Sequence, residues 1–333
     1  MPQVMTMERR IGSLNVNFRE IARELGLSPM TIYRVVNLDP CVSRETRERV
    51  TDALNRCGFF THRRGKRFKV LFDFIDHPYL SHYGEKLLNN IRELGFHCSR
   101  TCYRTARTGF LDMAAVSDVA VFISVPDSTI IDEARRVNPD LYTVTLSTRS
   151  NADVTLSPDN TRGGELAARH LARHRHRHIA IHLAERHPTR MERCKAFCGE
   201  MRFLDPDCRI DFIHERRTEQ TAPLLRSYFD SVDRFPDSIL FLAGEFADCY
   251  RRELLEPEPE RYSGIGVLTF DHPLDQRFAH LEYNFDCIGF RSQDLLEWAE
   301  YYITNRPMMK KRTPIHTLIE VRLVENGSIR MKS

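Results

Sequence analysis

From residue 70 onward the chain alternates short apolar runs with amphipathic stretches, and this alternation restricts the fold more than any other feature. VLFDFI (70–75), VAVFIS (119–124), YTVTL (142–146), HIAIHL (178–183), SILFLA (238–243) and GIGVLTF (264–270) read as buried strands, as do the segments 98–104 and RIDFIH (209–214). Between them, residues 85–94, 129–137, 163–173, 190–201 and 222–231 show helical spacing of apolar positions. Strand–helix alternation implies parallel strands, because a parallel return needs a crossover connection. The series is too long for one dinucleotide-binding unit, and no GxGxxG follows the first strand. Two doubly wound sheets, hence two lobes, are expected.

The N-terminal part has a different character. Residues 1–69 carry 14 Lys and Arg against 7 Asp and Glu, a net +7, while the rest of the chain nets −4. A basic head on a slightly acidic body suggests a nucleic-acid-binding module joined to something else. No apolar run approaches the roughly 18 residues needed to span a bilayer, and residues 1–14 are mixed and charged, unlike a signal peptide. The nine cysteines are odd in number, irregularly spaced and form no CxxC pair, which favours reduced, packed thiols. A cytoplasmic, nucleoid-associated protein is expected, without cofactor or membrane contact.

Within the head, residues 18–25 place Phe18, Ile21, Ala22 and Leu25 on one helical face, and Gly26 ends that helix. Ser28 is a good N-cap and Pro29 suits the first helical position. The helix 29–36 turns Ile32, Val35 and Val36 inward, and a third, capped by Ser43, ends near Cys57 with Val50, Ala53 and Leu54 inward. Two helices joined by a tight glycine turn form a helix-turn-helix, whose second helix fits the major groove of DNA. Its outward residues are Pro29, Met30, Thr31, Tyr33 and Arg34; Ser28 and Asn37 join the DNA-facing set. Hydroxyls and guanidinium groups can contact phosphates, and Arg34 can also read a guanine edge.

The segments FREIARELGLSPMTIYRVVN and VSRETRERVTDALNRCGFF resemble the head of the lactose/galactose repressor (LacI/GalR) family. The resemblance implies a sequence-specific regulator in which the two residues after the turn serine, here Pro29 and Met30, read bases. Proline offers only apolar contact, for example with a thymine methyl, and Tyr33 stands where the family usually has Ser. Both departures imply an unusual operator. The family continues into a hinge helix, but THRRGKRFK (61–69) is shorter, contains Gly65, and offers only Phe68 as a wedge. The expectation is either a basic linker with Arg63, Arg64 and Lys66 on phosphates and no minor-groove insertion, or a flexible tether alone.

The resemblance extends into the body. SPDNTRGGELAARHLARHRHRHIAIHL is similar to a family stretch that has Gly where Arg175 stands. TRMERCKAF places Arg193 at the family's sugar-contacting arginine, LTFDHP places Asp271 at a ligand-hydroxyl acceptor, and HPYLSHY resembles the family's cleft edge. The implied fold is an all-α helix-turn-helix head plus an α/β, periplasmic-binding-protein-like, two-lobed domain. A guanidinium and a carboxylate suit a sugar's hydroxyls, and Tyr79 or Phe270 could stack on its ring. The family's frequent Asn-Asp pair after the SILFLA strand is Gly244–Glu245 here, which removes an amide ligand and leaves the acidic Glu245. The expected domains are a head over 1–60 (core 17–58), a linker over 61–69, and a body over 70–333. The first lobe takes 70–156 and 287–318; the second takes 157–286 and 319–333.

His170, His174, His176 and His178 invite a metal-site reading, but the segment runs from helix into strand, which would scatter the rings, so packing is expected and no metal is assigned. Cys194 and Cys198 read as packing residues. No nucleophile-elbow or P-loop motif occurs. The expected protein is a non-enzymatic, homodimeric regulator, a repressor more than an activator, that binds an inverted-repeat operator in double-stranded DNA and responds to a sugar-like effector. Two alternatives remain: the same DNA-binding protein with a degenerate cleft, and a solute receptor or enzyme on this fold.

Overall fold

The computed structural model describes residues 17–36, 39, 41–57, 69–74, 78–123, 128–146, 150–184, 187–215, 220–273, 285–305 and 314–332. The head holds three helices, α1 (Phe18–Leu25), α2 (Pro29–Val36) and α3 (Arg44–Arg56). Asn17 caps α1 by accepting the Arg19 N–H at 3.0 Å, and Gly26 ends it at φ 66°, a left-handed conformation that suits glycine. Ile21, Ala22, Ile32, Val35, Val36, Val50, Ala53 and Leu54 form the buried core of the head. All three helix assignments made from spacing hold.

The body follows in chain order: β1 (Lys69–Asp73), α4 (Pro78–Glu93), β2 (His97–Thr101), α5 (Arg107–Ala115), β3 (Val119–Phe122), α6 (Ser128–Val137), β4 (Tyr142–Leu146) and β5 (Val154–Pro158). Then come α7 (Asn160–Arg173), β6 (His178–Ala184), α8 (Pro188–Leu204), β7 (Arg209–Glu215), α9 (Thr221–Ser231), β8 (Ser238–Phe241) and α10 (Gly244–Tyr250). A π-turn (Arg251–Leu255), α11 (Pro259–Tyr262), β9 (Gly266–Pro273), β10 (Asp286–Phe290), α12 (Ser292–Thr304), β11 (Ile315–Ile319) and β12 (Val321–Val324) complete it.

Two six-stranded sheets result, ordered β11-β5-β4-β3-β1-β2 and β12-β10-β9-β8-β6-β7. The pairings among β1 to β5 and among β6 to β10 are parallel, and β12 joins β10 antiparallel at an edge. Both orders reverse direction once, at β1/β3 and at β6/β8, and ligands of such sheets bind beyond the strand carboxyl ends at that reversal.

The chain divides into one compact unit of Met1–Leu156 with Gln293–His316 and another of Ser157–Ser292 with Thr317–Ser333. Residues 287–292 and 317–318, expected in the first lobe, fall in the second unit, the former because β10 hydrogen-bonds to β9 and β12. Lys69, expected in the linker, opens β1, its N–H donating to Asp118 at 2.9 Å. The helix expected from residue 85 begins at Pro78, and the strand expected over 98–104 stops at Thr101. Among the described residues, no helix is long and apolar enough to cross a membrane.

Inside the second unit, α7 lies hard against α8. A Cβ on Gly164 would fall 2.5 Å from the Arg193 carbonyl oxygen, so only glycine allows this approach. The turn after α7 places Arg175 at φ 60°, where the resembling stretch has glycine, and closes with Arg175 and His176 N–H groups on the Ala172 and Leu171 carbonyls. A side chain in this conformation is strained by about 1 kcal/mol.

Candidate nucleic-acid interface and ligand site

The head presents α2 outward. Its inward residues are buried, while Met30 is 60% and Tyr33 40% exposed, a large apolar surface for so short a helix. Ser28, Pro29 and Arg34 are also exposed. Ser28 Oγ accepts the Thr31 N–H at 3.1 Å and shares a 2.9 Å hydrogen bond with the Thr31 hydroxyl. That hydroxyl, expected on a phosphate, is therefore engaged in the helix cap. Arg34 Nε lies 3.8 Å from the Asp39 carboxylate, a long contact of an exposed guanidinium that contributes little to stability.

Part of the head's positive charge is structural. Arg49 donates to the Leu25 carbonyl at 2.9 Å, Arg47 to the Asp39 carbonyl at 2.8 Å, and Arg56 pairs with Glu24 at 2.9 Å. These three arginines fasten α3 to the helix-turn-helix, so the basic excess overstates the charge available to a partner. Asn37, Arg63, Arg64, Lys66 and Phe68 lie outside the described residues.

In the second unit, Arg193 and Asp271 meet at the carboxyl ends of the strands. Arg193, on the second turn of α8, is only 3% exposed. Its Nη1 and Nη2 donate to Asp271 at 2.7 and 2.5 Å, Nη1 also donates to the Leu242 carbonyl at 2.7 Å, and Nε donates to Asn160 Oδ1 at 2.9 Å. Four of the five guanidinium hydrogens are thus engaged, leaving one on Nη2. Asp271 keeps about a quarter of its side chain exposed, so the carboxylate retains outward lone pairs. It holds φ 65°, a left-handed conformation unusual for a non-glycine residue and often stored at binding sites.

Phe270 differs from expectation. Its ring lies beneath the Arg193 guanidinium, 4.6 Å away, and the residue is 2% exposed. A Cβ on Gly163 would come within 2.9 Å of that ring, so packing takes the surface that was to stack on a sugar. Glu245 opens α10 but pairs with Arg190 at 2.7 Å rather than with Arg193 or Asp271. Tyr79 sits on the first turn of α4; its side chain is not among those described. The sequence reading overlooked Asn160 as a partner of Arg193, although Asn160 lies in the quoted SPDN segment, next to the Asp159 that caps α7.

Around β6 and β7, His178 hydrogen-bonds Asp211 at 2.8 Å and His182 hydrogen-bonds Glu215 at 2.7 Å, while Thr221 donates to the same Glu215 oxygen. Burial raises the Glu215 pKa, but the donors outweigh it and hold the carboxyl below its ordinary range. A depression of about 530 Å³ lies over Glu215, Thr221, Arg226 and Glu253, and none of its lining residues belongs to the Arg193 cluster. In the first unit, Asp73 occupies the carboxyl end of β1 at the sheet reversal. It is 1% exposed and accepts the Tyr103 N–H at 2.8 Å, and its second oxygen has no partner among the described residues. Burial pushes its pKa to about 7, against the opposing pull of the Tyr103 N–H and Arg104.

Comparisons with known proteins bear on the head and on the fold of the body. Residues 17–62 match the family "Bacterial regulatory proteins, lacI family". The sucrose operon repressor of Streptococcus mutans serotype c is 25% identical over 166 residues, 46% of this chain and 52% of that protein. The chain thus aligns with about half the length of that curated relative. A lac repressor dimer bound to operator and an anti-inducer superposes with a TM-score of 0.63 at 14% identity, over 95% of this chain and 99% of that one. A LacI family regulator from Enterococcus faecium with bound ribose gives 0.63 at 18% identity, over 80% and 100%. The CelR–cellobiose complex gives 0.60 at 16% identity, over 93% and 98%. The head of this chain thus matches the lacI family of bacterial regulatory proteins, and the body shares the fold of the solved structures named above.

Proposed function

We propose that the protein is a homodimeric DNA-binding transcriptional regulator, acting as a repressor, whose hold on an inverted-repeat operator changes when a small polyhydroxylated ligand binds at Arg193 and Asp271. The observation that carries this reading is the exposed face of α2, with Met30 and Tyr33 open above a fully buried three-helix core. The ligand arm rests on the Arg193–Asp271 fork, whose remaining Nη2 hydrogen and outward carboxylate lone pairs suit adjacent hydroxyls. The sugar complexes among the solved relatives support the same ligand class. Two copies of the head would read half-sites related by the twofold of the dimer.

Fluorescence anisotropy on the DNA upstream of its own gene, at fixed salt and with scrambled DNA as control, tests the first arm. Preference of at least tenfold for one duplex supports it, and equal affinity for both overturns it. Calorimetric titration with a panel of pentoses, hexoses and disaccharides tests the second. A reading without effector draws on a specific observation: Arg193 and Asp271 already satisfy one another, and Glu245 is tied to Arg190. No heat from any sugar would favour it.

A further inference from the structure

The four histidines clustered in sequence do not all scatter. His176 turns its Nε2 to the Arg330 carbonyl, and His178 turns to Asp211. His170 and His174 instead lie one turn apart at the end of α7, ring centroids 4.6 Å apart, and Glu325 joins them from the segment after β12. One ligand-type atom from each of the three lies within 4.8 Å of the others.

We propose that His170, His174 and Glu325 form a binding site for a borderline divalent cation of the zinc class. The hydrogen bonds around the rings set their tautomers for this task. His170 Nε2 faces Asp286 Oδ2 at 2.7 Å, so that nitrogen donates and Nδ1 carries the lone pair. That Nδ1 is buried and has no partner among the described residues, an arrangement protein interiors avoid unless something fills it. His174 Nδ1 faces the His170 carbonyl at 2.9 Å, so it donates, and Nε2 carries the lone pair. The Glu325 carboxylate is exposed and makes no hydrogen bond or ion pair among the described residues.

The outer shell is already built. Asp286 Oδ1 accepts the backbone N–H groups of Asn326, Gly327 and Ser328 at 2.7, 2.7 and 3.0 Å. One buried carboxylate therefore orients the His170 ring and anchors the segment that begins at Glu325. A carboxylate–imidazole–metal relay is the usual support of a histidine ligand. Two imidazoles and a carboxylate, with water in a fourth position, suit zinc or cobalt better than calcium or magnesium. The bound ion would fasten the C-terminal segment to α7, on which Asn160 and the Arg193 contact also depend.

The test uses untagged full-length protein, stripped with chelator and titrated with Zn²⁺ by calorimetry, and with Co²⁺ by absorption. The expected result is one ion per chain, a Co²⁺ spectrum without the near-ultraviolet thiolate band, and a melting temperature that rises with Zn²⁺. Affinity falls at least tenfold in Glu325→Gln and in His174→Gln. Because Glu325 is exposed, E325Q keeps the metal-free melting temperature and stays informative if H174Q folds poorly. No saturable uptake, uptake that E325Q fully retains, or a thiolate-dominated cobalt spectrum overturns the proposal.

Discussion

Asp271 accepts hydrogen bonds from both Nη atoms of the buried Arg193 while its own backbone sits at φ 65°. Removing the carboxylate therefore does two things at once. Asp271→Ala leaves a buried guanidinium without its counter-charge and puts alanine in a left-handed conformation, so it is expected to destabilise by about 3–5 kcal/mol. Asp271→Asn tolerates the backbone, keeps one acceptor, and is expected to lose clearly less. Urea unfolding of both variants checks the order. Ligand binding is better tested with the asparagine variant, since loss of binding in the alanine variant would be confounded by loss of structure.

Met30 contributes surface and little packing. Met30→Ala is expected to leave stability within about 0.5 kcal/mol while weakening specific DNA binding by about 1–3 kcal/mol. Binding to unrelated DNA should not change. Anisotropy on matched and scrambled duplexes, beside a thermal melt, separates the two. Ile32→Ala, fully buried in the same helix, should instead destabilise the head by about 2–5 kcal/mol.

Two glycines on packed helices should respond in opposite directions. Gly164→Ala pushes a methyl to within 2.5 Å of the Arg193 carbonyl oxygen and is expected to destabilise by about 1–3 kcal/mol. Gly199→Ala, in the interior of α8 with nothing within 4 Å of the added Cβ, should stabilise by up to about 1 kcal/mol. Chemical denaturation midpoints of the two variants decide this.

Arg175→Gly is expected to raise stability. The residue is exposed and held at φ 60°, and glycine removes strain of about 1 kcal/mol against its larger unfolded-state entropy. A higher midpoint at unchanged denaturant slope is the expected result.

Asp73 gives stability a distinct pH dependence. Its folded pKa, about 7, lies above the unfolded value of 3.8, so the folded state holds the proton more tightly. The contribution is most favourable below about pH 4. It declines as pH rises towards 7, by an amount on the order of a few kcal/mol, and is constant above that. Asp73→Asn should flatten this part of the profile while keeping the acceptor for the Tyr103 N–H. Melting temperatures at half-unit pH steps measure it.

What the sequence conveyed depended on locality. The head was legible because its caps, its glycine turn and its apolar spacing all lie within forty or so residues, so α1, α2 and α3 emerged within a residue or two. In the body, strands with long apolar runs were found, but β5 was not, since VTLSP alternates apolar and polar side chains that are nonetheless all buried. α5 escaped because RTGFLDMAA lacks a clear apolar stripe, although Phe110 and Ala114 are buried. Arg193 and Asp271 entered through resemblance; their direct pairing, 78 positions apart, could not come from spacing. Phe270 was misread for the same reason, since the guanidinium above it and Gly163 beside it are remote in the chain.

The last two strands, β11 and β12, are separated by Glu320 alone, yet each closes the edge of a different sheet. A message truncated shortly before them would yield a product with both sheets left unfinished. The buried core of the head is drawn from residues 21–54 alone, far in sequence from these two strands. Such a product would keep its three-helix tip while its remainder became a substrate for proteases, so cells carrying a late nonsense mutation should accumulate small N-terminal fragments rather than a shortened intact protein.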